Sequence, residues 1–299
     1  MQTRRQLIGA SLALPFLSFA ERAEAEEVLK LEEEALPPPK FTLAINLEIM
    51  FPGSMPYDER IELSAKAGAK HYAFWSPDEK NHDAMRKMQD KYKLTCVSIT
   101  GNPKTGWTTG LTQTGEEQKF LDDFEHRCKV ANLFGVQNLI TFVGAVQKDI
   151  PQEVQDAQII AGLKKAGAIA ERYDVYLTLE PLNRVESPQM SMITSYDAYR
   201  YAMSASHPRI KVDYDMYHRQ LGEGNVIQRM ETGLKEGHVH FLEVGDVPGR
   251  KEAGSGEMNY ANIFKFLRKI GYSGFIGMEH GTTKTPKYAW EVTRKLAGF

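Results

Sequence analysis

The sequence predicts an α/β protein in which eight parallel strands close into a (β/α)8, or TIM, barrel from Phe41 onward. Short apolar runs alternate with longer amphipathic segments at roughly 30-residue spacing, the pattern of a parallel sheet with crossover helices. The runs number eight, and each is followed by a helical segment. No second zone of composition divides the chain, which favours closure over an open doubly wound sheet. No Gly-x-Gly-x-x-Gly follows the first strand, which counts further against that competitor.

The first unit joins a strand over Thr42–Leu47 to a helix over Tyr57–Ala67, which stops at Gly68, a residue suited to a left-handed cap. His71–Trp75 with Asp78–Tyr92 is the second unit, and Leu94–Ile99 with Glu116–Phe134, closed by Gly135, the third. Asn138–Phe142 leads to Pro151–Tyr173, and Val175–Leu179 to Ser195–Ala205. The sixth unit runs Ile210–Tyr214 and Val226–Leu234. Val239–Glu243 precedes Tyr260–Ile270, ended by Gly271, and Phe275–Glu279 precedes Thr283–Ala297.

Composition bounds the rest. With 299 residues, 42% of them hydrophobic and 25% charged, the chain can bury a core without disulfide staples. A formal charge of -2 gives no basic footprint for nucleic acid. The two cysteines, Cys96 and Cys128, fall in a strand and a helix and read as buried thiols. Residues 1–25 have the form of an export signal: Arg4-Arg5, an apolar run from Leu7 to Ala20, then Ala23-Glu24-Ala25. The run is too short for a stable membrane span. Thr3-Arg4-Arg5-Gln6-Leu7-Ile8 resembles a bacterial twin-arginine signal, which implies a periplasmic destination. Residues 26–40, glutamate-rich and ending near Pro37-Pro38-Pro39, read as a tether, leaving 41–299 as the catalytic domain.

In a barrel the reactive groups sit at the C-terminal ends of the strands. Here the last four strands each end on a carboxylate: Glu180, Asp215, Glu243 and Glu279, separated by 35, 28 and 36 residues. Adjacent strands lie about 4.8 Å apart, so these groups converge. Converging carboxylates must protonate or share a cation, and hard oxygen donors favour one divalent metal, Mg²⁺ or Mn²⁺. His218 and Arg250 fall at the same rim, as a donor to a substrate oxygen and a fork for a substrate carboxylate. His240, three residues before Glu243, faces the other way by strand alternation and is a ligand only if the register differs. Asp246 and Glu257 are supporting or solvated groups.

Three segments carry a family resemblance: Leu179-Glu180-Pro181-Leu182-Asn183, Asp215-Met216-Tyr217-His218-Arg219-Gln220, and Gly245-Asp246-Val247-Pro248-Gly249-Arg250, continuing through Gly254-Ser255-Gly256-Glu257-Met258-Asn259-Tyr260. The chain resembles the hydroxypyruvate isomerases, within the xylose-isomerase-like sugar isomerases and epimerases. The resemblance implies that Glu180, Asp215 and Glu279 bind the metal and that Glu180 and Glu279 also shuttle a proton. It usually has Gln, or His, where this chain has Glu243. Strand two ends on Ala73-Phe74-Trp75 where many relatives carry a glutamate, so Trp75 makes the substrate wall aromatic.

The expected activity is a metal-dependent isomerisation of an α-hydroxy carbonyl compound, hydroxypyruvate or a small sugar, through an enediolate. His218, Arg250, Asn183 and Trp75 are the expected substrate contacts. Ketose 3-epimerisation and elimination from a keto-glycoside use the same parts, and a non-catalytic sugar-binding protein is the remaining class. A metal-dependent nuclease would usually need more histidine ligands than these strand ends supply. The expected partner is a small molecule, and a homo-oligomer is compatible with the sequence.

Overall fold

The computed structural model describes residues 36–299 apart from Lys104 and Thr105. The expected export signal and the tether up to residue 35 lie outside the described residues. Eight strands pair in parallel in chain order: β1 (Thr42–Asn46), β2 (His71–Ala73), β3 (Thr95–Thr100), β4 (Asn138–Thr141), β5 (Tyr176–Leu179), β6 (Ile210–Asp215), β7 (Val239–Glu243) and β8 (Phe275–Met278). Pairing of Leu43 with Ile276 and Ala44 with Gly277 joins β8 to β1 and closes the barrel.

The helices are α1 (Tyr57–Lys66), α2 (His82–Tyr92), α3 (Glu117–Phe134), α4 (Gln152–Arg172), α5 (Ser195–Ala205), α6 (Met216–Gly222), α7 (Val226–Lys235), α8 (Tyr260–Lys269) and α9 (Pro286–Ala297). Every expected element is present, and the differences have local causes. The chain leaves β2 after Ala73, so Trp75 stands in a loop. Asn81 accepts from the Ala84 N–H at 3.1 Å and starts α2 later than the apolar pattern suggested. The unpredicted α6 begins directly after β6 because Asp215 caps it, accepting from the Tyr217 N–H at 2.8 Å. A capping box of Thr194 and Asp197 opens α5.

Outward-facing strand residues such as Leu43, Ile45, Leu177, Leu179, Val212 and Tyr214 are fully or nearly fully buried in the main core. Each such side chain contributes roughly 1.5–3 kcal/mol. Ala44, Ala73, Val97 and Phe241 form a small separate cluster on the other face of the strands. The barrel is therefore sealed by apolar contacts outside its wall, which leaves the upper interior available for polar groups. Cys96 and Cys128 are buried and unpaired, and burial pushes the Cys128 thiol up to about 12. No helix among the described residues is long and apolar enough to cross a membrane.

Candidate active site

Glu180 follows β5, Asp215 ends β6, Glu243 ends β7 and Glu279 follows β8. Asp215 and Glu243 are direct register partners. All four are at most 4% exposed, and one carboxylate oxygen from each lies within 4.8 Å of the others. On β8, Gly277 pairs with Glu243, and a Cβ there would stand 2.9 Å from Glu243 Oε1. A glycine is what lets the fourth carboxylate fit.

The electrostatics follow from this crowding. Burial and the charges of Glu279 and Asp215 raise the pKa of Glu180 well above the carboxylate range. Burial raises Asp215 to about 7, against a downward pull from Arg250. Glu243 is raised by burial and next by Asp213, a residue outside the expected site. Asp213 is fully buried, and neither its oxygens nor those of Glu243 meet a hydrogen-bond partner among the described residues. Period two along β6 was the signal for it, since Asp213 and Asp215 share a face. A cluster of buried oxygen donors with unsatisfied capacity fits a hard divalent cation.

Arg250 takes up part of that charge. Its Nη2 lies 2.9 Å from Asp215 Oδ2 and also donates to Glu279 Oε2, while Nε donates to the Glu279 carbonyl at 3.3 Å. Expected on a substrate carboxylate, it is instead engaged by carboxylates of the protein, because the loop after β7 turns back over the barrel mouth. Asp246 organises that loop, accepting from the Gly254 and Met258 N–H groups at 2.8 and 3.1 Å. Glu257 is solvent-exposed.

His218, on α6, places Nε2 3.5 Å from Asp215 Oδ2 and 3.6 Å from Glu180 Oε1. Its Nδ1 lies 2.6 Å from Asn183 Nδ2, so the amide donates and the ring proton sits on Nε2, facing the carboxylates. Burial, then Arg250 and Arg219, hold its pKa well below the ordinary value and keep it neutral. Asn183 was expected to touch substrate. It is fully buried, donates to Glu186 as well as to His218, and accepts from the Val185 and Glu186 N–H groups. With its polar atoms so engaged, it orients His218 instead. Arg219, also missed, lies fully buried and binds the Pro181 and Leu182 carbonyls, pinning the loop that follows Glu180.

His240 is not among the clustered ligand candidates, although for a different reason than strict alternation. Val212 pairs with Val239 and Asp213 with Phe241, so β7 bulges at His240. Its ring stacks on Tyr176 at 4.0 Å, and Tyr176 lies four residues before Glu180 on β5.

A cavity of about 180 Å³ opens onto Glu180, Glu279, His218 and Arg250. Trp75 lines it and donates from Nε1 to Glu279 Oε1. Trp107, absent from the expected site, packs edge-on to Trp75 at 6.0 Å, and Phe142 lies 5.1 Å beyond.

A family model described as "Xylose isomerase-like TIM barrel" matches residues 61–296. The chain belongs to the xylose isomerase-like TIM barrel family. Among curated relatives of this family member, the hydroxypyruvate isomerase of Escherichia coli (strain K12) is 26% identical over 79% of this chain and 91% of its own length. The 2-oxo-tetronate isomerase of Haemophilus influenzae is 27% identical over 81% of this chain and 93% of its own. Both are isomerases by name, in agreement with the enzyme class that the resemblance implied. A crystal structure of an AP endonuclease, family 2, from Brucella melitensis shares the fold with a TM-score of 0.77 and 24% identity, covering 84% of this chain and 98% of the other.

Proposed function

We propose that the protein is a divalent-metal-dependent isomerase of a small α-hydroxy carbonyl compound, with Glu180 and Glu279 as its two proton carriers. One observation carries this reading. Of the four clustered carboxylates, Glu180 and Glu279 line the cavity, while Asp215 and Glu243 do not. Asp215 and Glu243 are then ligands alone, and Glu180 and Glu279 can also reach substrate.

Mg²⁺ or Mn²⁺ suits the all-oxygen donor set of Glu180, Asp215, Glu243 and Glu279, and would supply Lewis-acid polarisation of the substrate carbonyl. One of Glu180 and Glu279 removes the proton from the hydroxyl-bearing carbon, leaving the electron pair in an enediolate. A carboxylic acid then returns a proton to the neighbouring carbon while the hydroxyl proton passes to the former carbonyl oxygen, so the net change is a shifted carbonyl. Glu279 is held by Trp75 and Arg250, whereas Glu180 has His218 Nε2 beside it at 3.6 Å. The less tethered Glu180 is the better placed to move a proton over the substrate. His218, donating from Nε2, steadies a substrate hydroxyl.

Ketose 3-epimerisation or elimination from a keto-glycoside is the second reading, favoured by the aromatic wall of Trp75 and Trp107. Both begin with the same proton abstraction; a binding protein without chemistry would show none. Exchange of substrate hydrogen with deuterated solvent, with and without Mn²⁺, tests the proposal. No exchange across hydroxypyruvate, ketoses and keto-glycosides would sink it. Export to the periplasm is proposed from Arg4-Arg5, and fractionation of cells expressing the Lys-Lys variant tests that: it should stay in the cytoplasm.

A further inference from the structure

A second cavity, of about 230 Å³, lies at the other end of the barrel. Thr42 and His71, the first residues of β1 and β2, line it, whereas the carboxylate cluster stands where the strands finish. The remaining wall comes from the end of α9 and the turn after α1. Nothing in the isomerase reading uses this cavity.

Its polar groups share one character. Lys70 and Arg294 line it, no acidic side chain does, and neither cation forms an ion pair among the described residues. Trp290 is 5% exposed, yet its Nε1 meets no hydrogen-bond partner. A Cβ at Gly68 would stand 3.8 Å from that nitrogen, so the missing side chain keeps the space before it open to the cavity. Nδ1 of His71 is likewise buried without a partner, and burial holds this imidazole below its ordinary pKa, leaving it neutral with one N–H to give. A buried N–H without an acceptor is costly, so two of them beside two unpaired cations call for an acceptor that carries negative charge.

The apolar groups set the rest of the ligand. Leu43 and the ring of Phe299 form the walls, and the Arg294 guanidinium stands 5.7 Å from the Trp290 ring and 6.0 Å from that of Phe299. Those two rings hold the charged fork over the cavity instead of leaving it to water. A dry cavity of about 150 Å³ holds a benzene ring, so about 230 Å³ takes a ring together with a carboxylate. Helices α1 and α9 both finish here, and the partial negative charge of helix C-termini disfavours a phosphate dianion relative to a monoanion.

We propose that this cavity is a binding site for a small aromatic carboxylate, its ring on Leu43 and Phe299 and its oxygens drawn to Lys70, Arg294 and the Trp290 N–H. The ligand would tie α9 to the starts of β1 and β2.

The test uses the full chain with Mg²⁺, labelled with ¹⁵N in its tryptophan indoles. Three indole signals are expected from Trp75, Trp107 and Trp290, and Trp290→Phe assigns the third by removing it. Benzoate should move the Trp290 signal saturably, with a Kd of about 1 mM or lower. Benzamide, which keeps the ring and lacks the charge, should bind at least about tenfold more weakly. Lys70→Gln and Arg294→Gln should each weaken benzoate about tenfold; both side chains are solvent-exposed, and either variant suffices if the other does not fold. No saturable shift of Trp290, or shifts confined to Trp75 and Trp107, would overturn the proposal, as would unchanged affinity in both glutamine variants. Inorganic phosphate or phenyl phosphate binding as tightly as benzoate overturns the assigned ligand class.

Discussion

Arg250 Nη2 lies 2.9 Å from Asp215 Oδ2, within a cluster of buried carboxylates that no other Lys or Arg reaches from the cavity lining. Arg250→Met should therefore destabilise the chelated protein by about 3 kcal/mol, because carboxylates are left buried without their counter-charge. Mn²⁺ should recover most of that loss. Thermal unfolding of both proteins, with chelator and with Mn²⁺, checks this; equal stability under chelation would remove Arg250 from that role.

Asp215 titrates at about 7 in the folded chain against an ordinary value of 3.8, and Glu180 and Glu243 are displaced in the same direction. The folded state thus holds protons that the unfolded chain has released. Chelated protein should lose stability as pH rises from about 4 through about 7. A divalent ion must displace those protons, so its affinity should rise over the same range, with proton release. Unfolding curves across pH and calorimetry in buffers of different ionisation heat read both effects.

Gly277→Ala places a methyl group 2.9 Å from Glu243 Oε1. The expected result is a destabilisation of about 1–3 kcal/mol and a fall in Mn²⁺ affinity of at least about tenfold. A competition titration with a fluorescent chelator measures the affinity. Unchanged affinity would mean that Glu243 is not a ligand.

Asn183 Nδ2 lies 2.6 Å from His218 Nδ1. Asn183→Ala should free the imidazole to change tautomer and lower kcat about tenfold or more, with metal content unchanged. Asn183→Asp should not rescue it, since a carboxylate cannot donate to Nδ1. Nitrogen chemical shifts of His218 give a readout independent of turnover.

Asp78 accepts from Arg127 at 2.8 Å, and this pairing holds its carboxyl at about 2. The folded value is depressed, so the stabilisation is present above pH 4 and fades as pH falls toward 2. Asp78 stands three residues after Trp75. Asp78→Asn should cost roughly 1 kcal/mol at neutral pH, because Asp78 is partly exposed, and progressively less as pH falls through about 2.

The barrel was legible because each strand announces itself locally. Apolar runs, helix periods and glycine stops such as Gly68 and Gly135 depend on neighbours in sequence, and their boundaries shifted by only a few residues. The acidic strand ends were legible for the same reason: one βα unit separates Glu180, Asp215, Glu243 and Glu279, and a closed parallel sheet brings equivalent positions together. Asp213 obeyed the same period as Asp215 and could have been found by counting in twos along β6.

What the chain alone could not convey was the pairing of side chains across distant loops. Arg250 on the carboxylates, Asn183 on His218, and Trp107 on Trp75 depend on how the loops after β2, β3, β5 and β7 fold over the mouth. Those paths follow from buried contacts such as Asp246 with Gly254 and Arg219 with Pro181, between residues far apart on the barrel rim or within an irregular loop. Local pattern carries no record of such contacts, and the bulge at His240 shows that one extra residue can re-aim a side chain that simple alternation would place outside. The fold and the four acidic positions were written in periodicity; the partners that orient them were decided by packing in three dimensions.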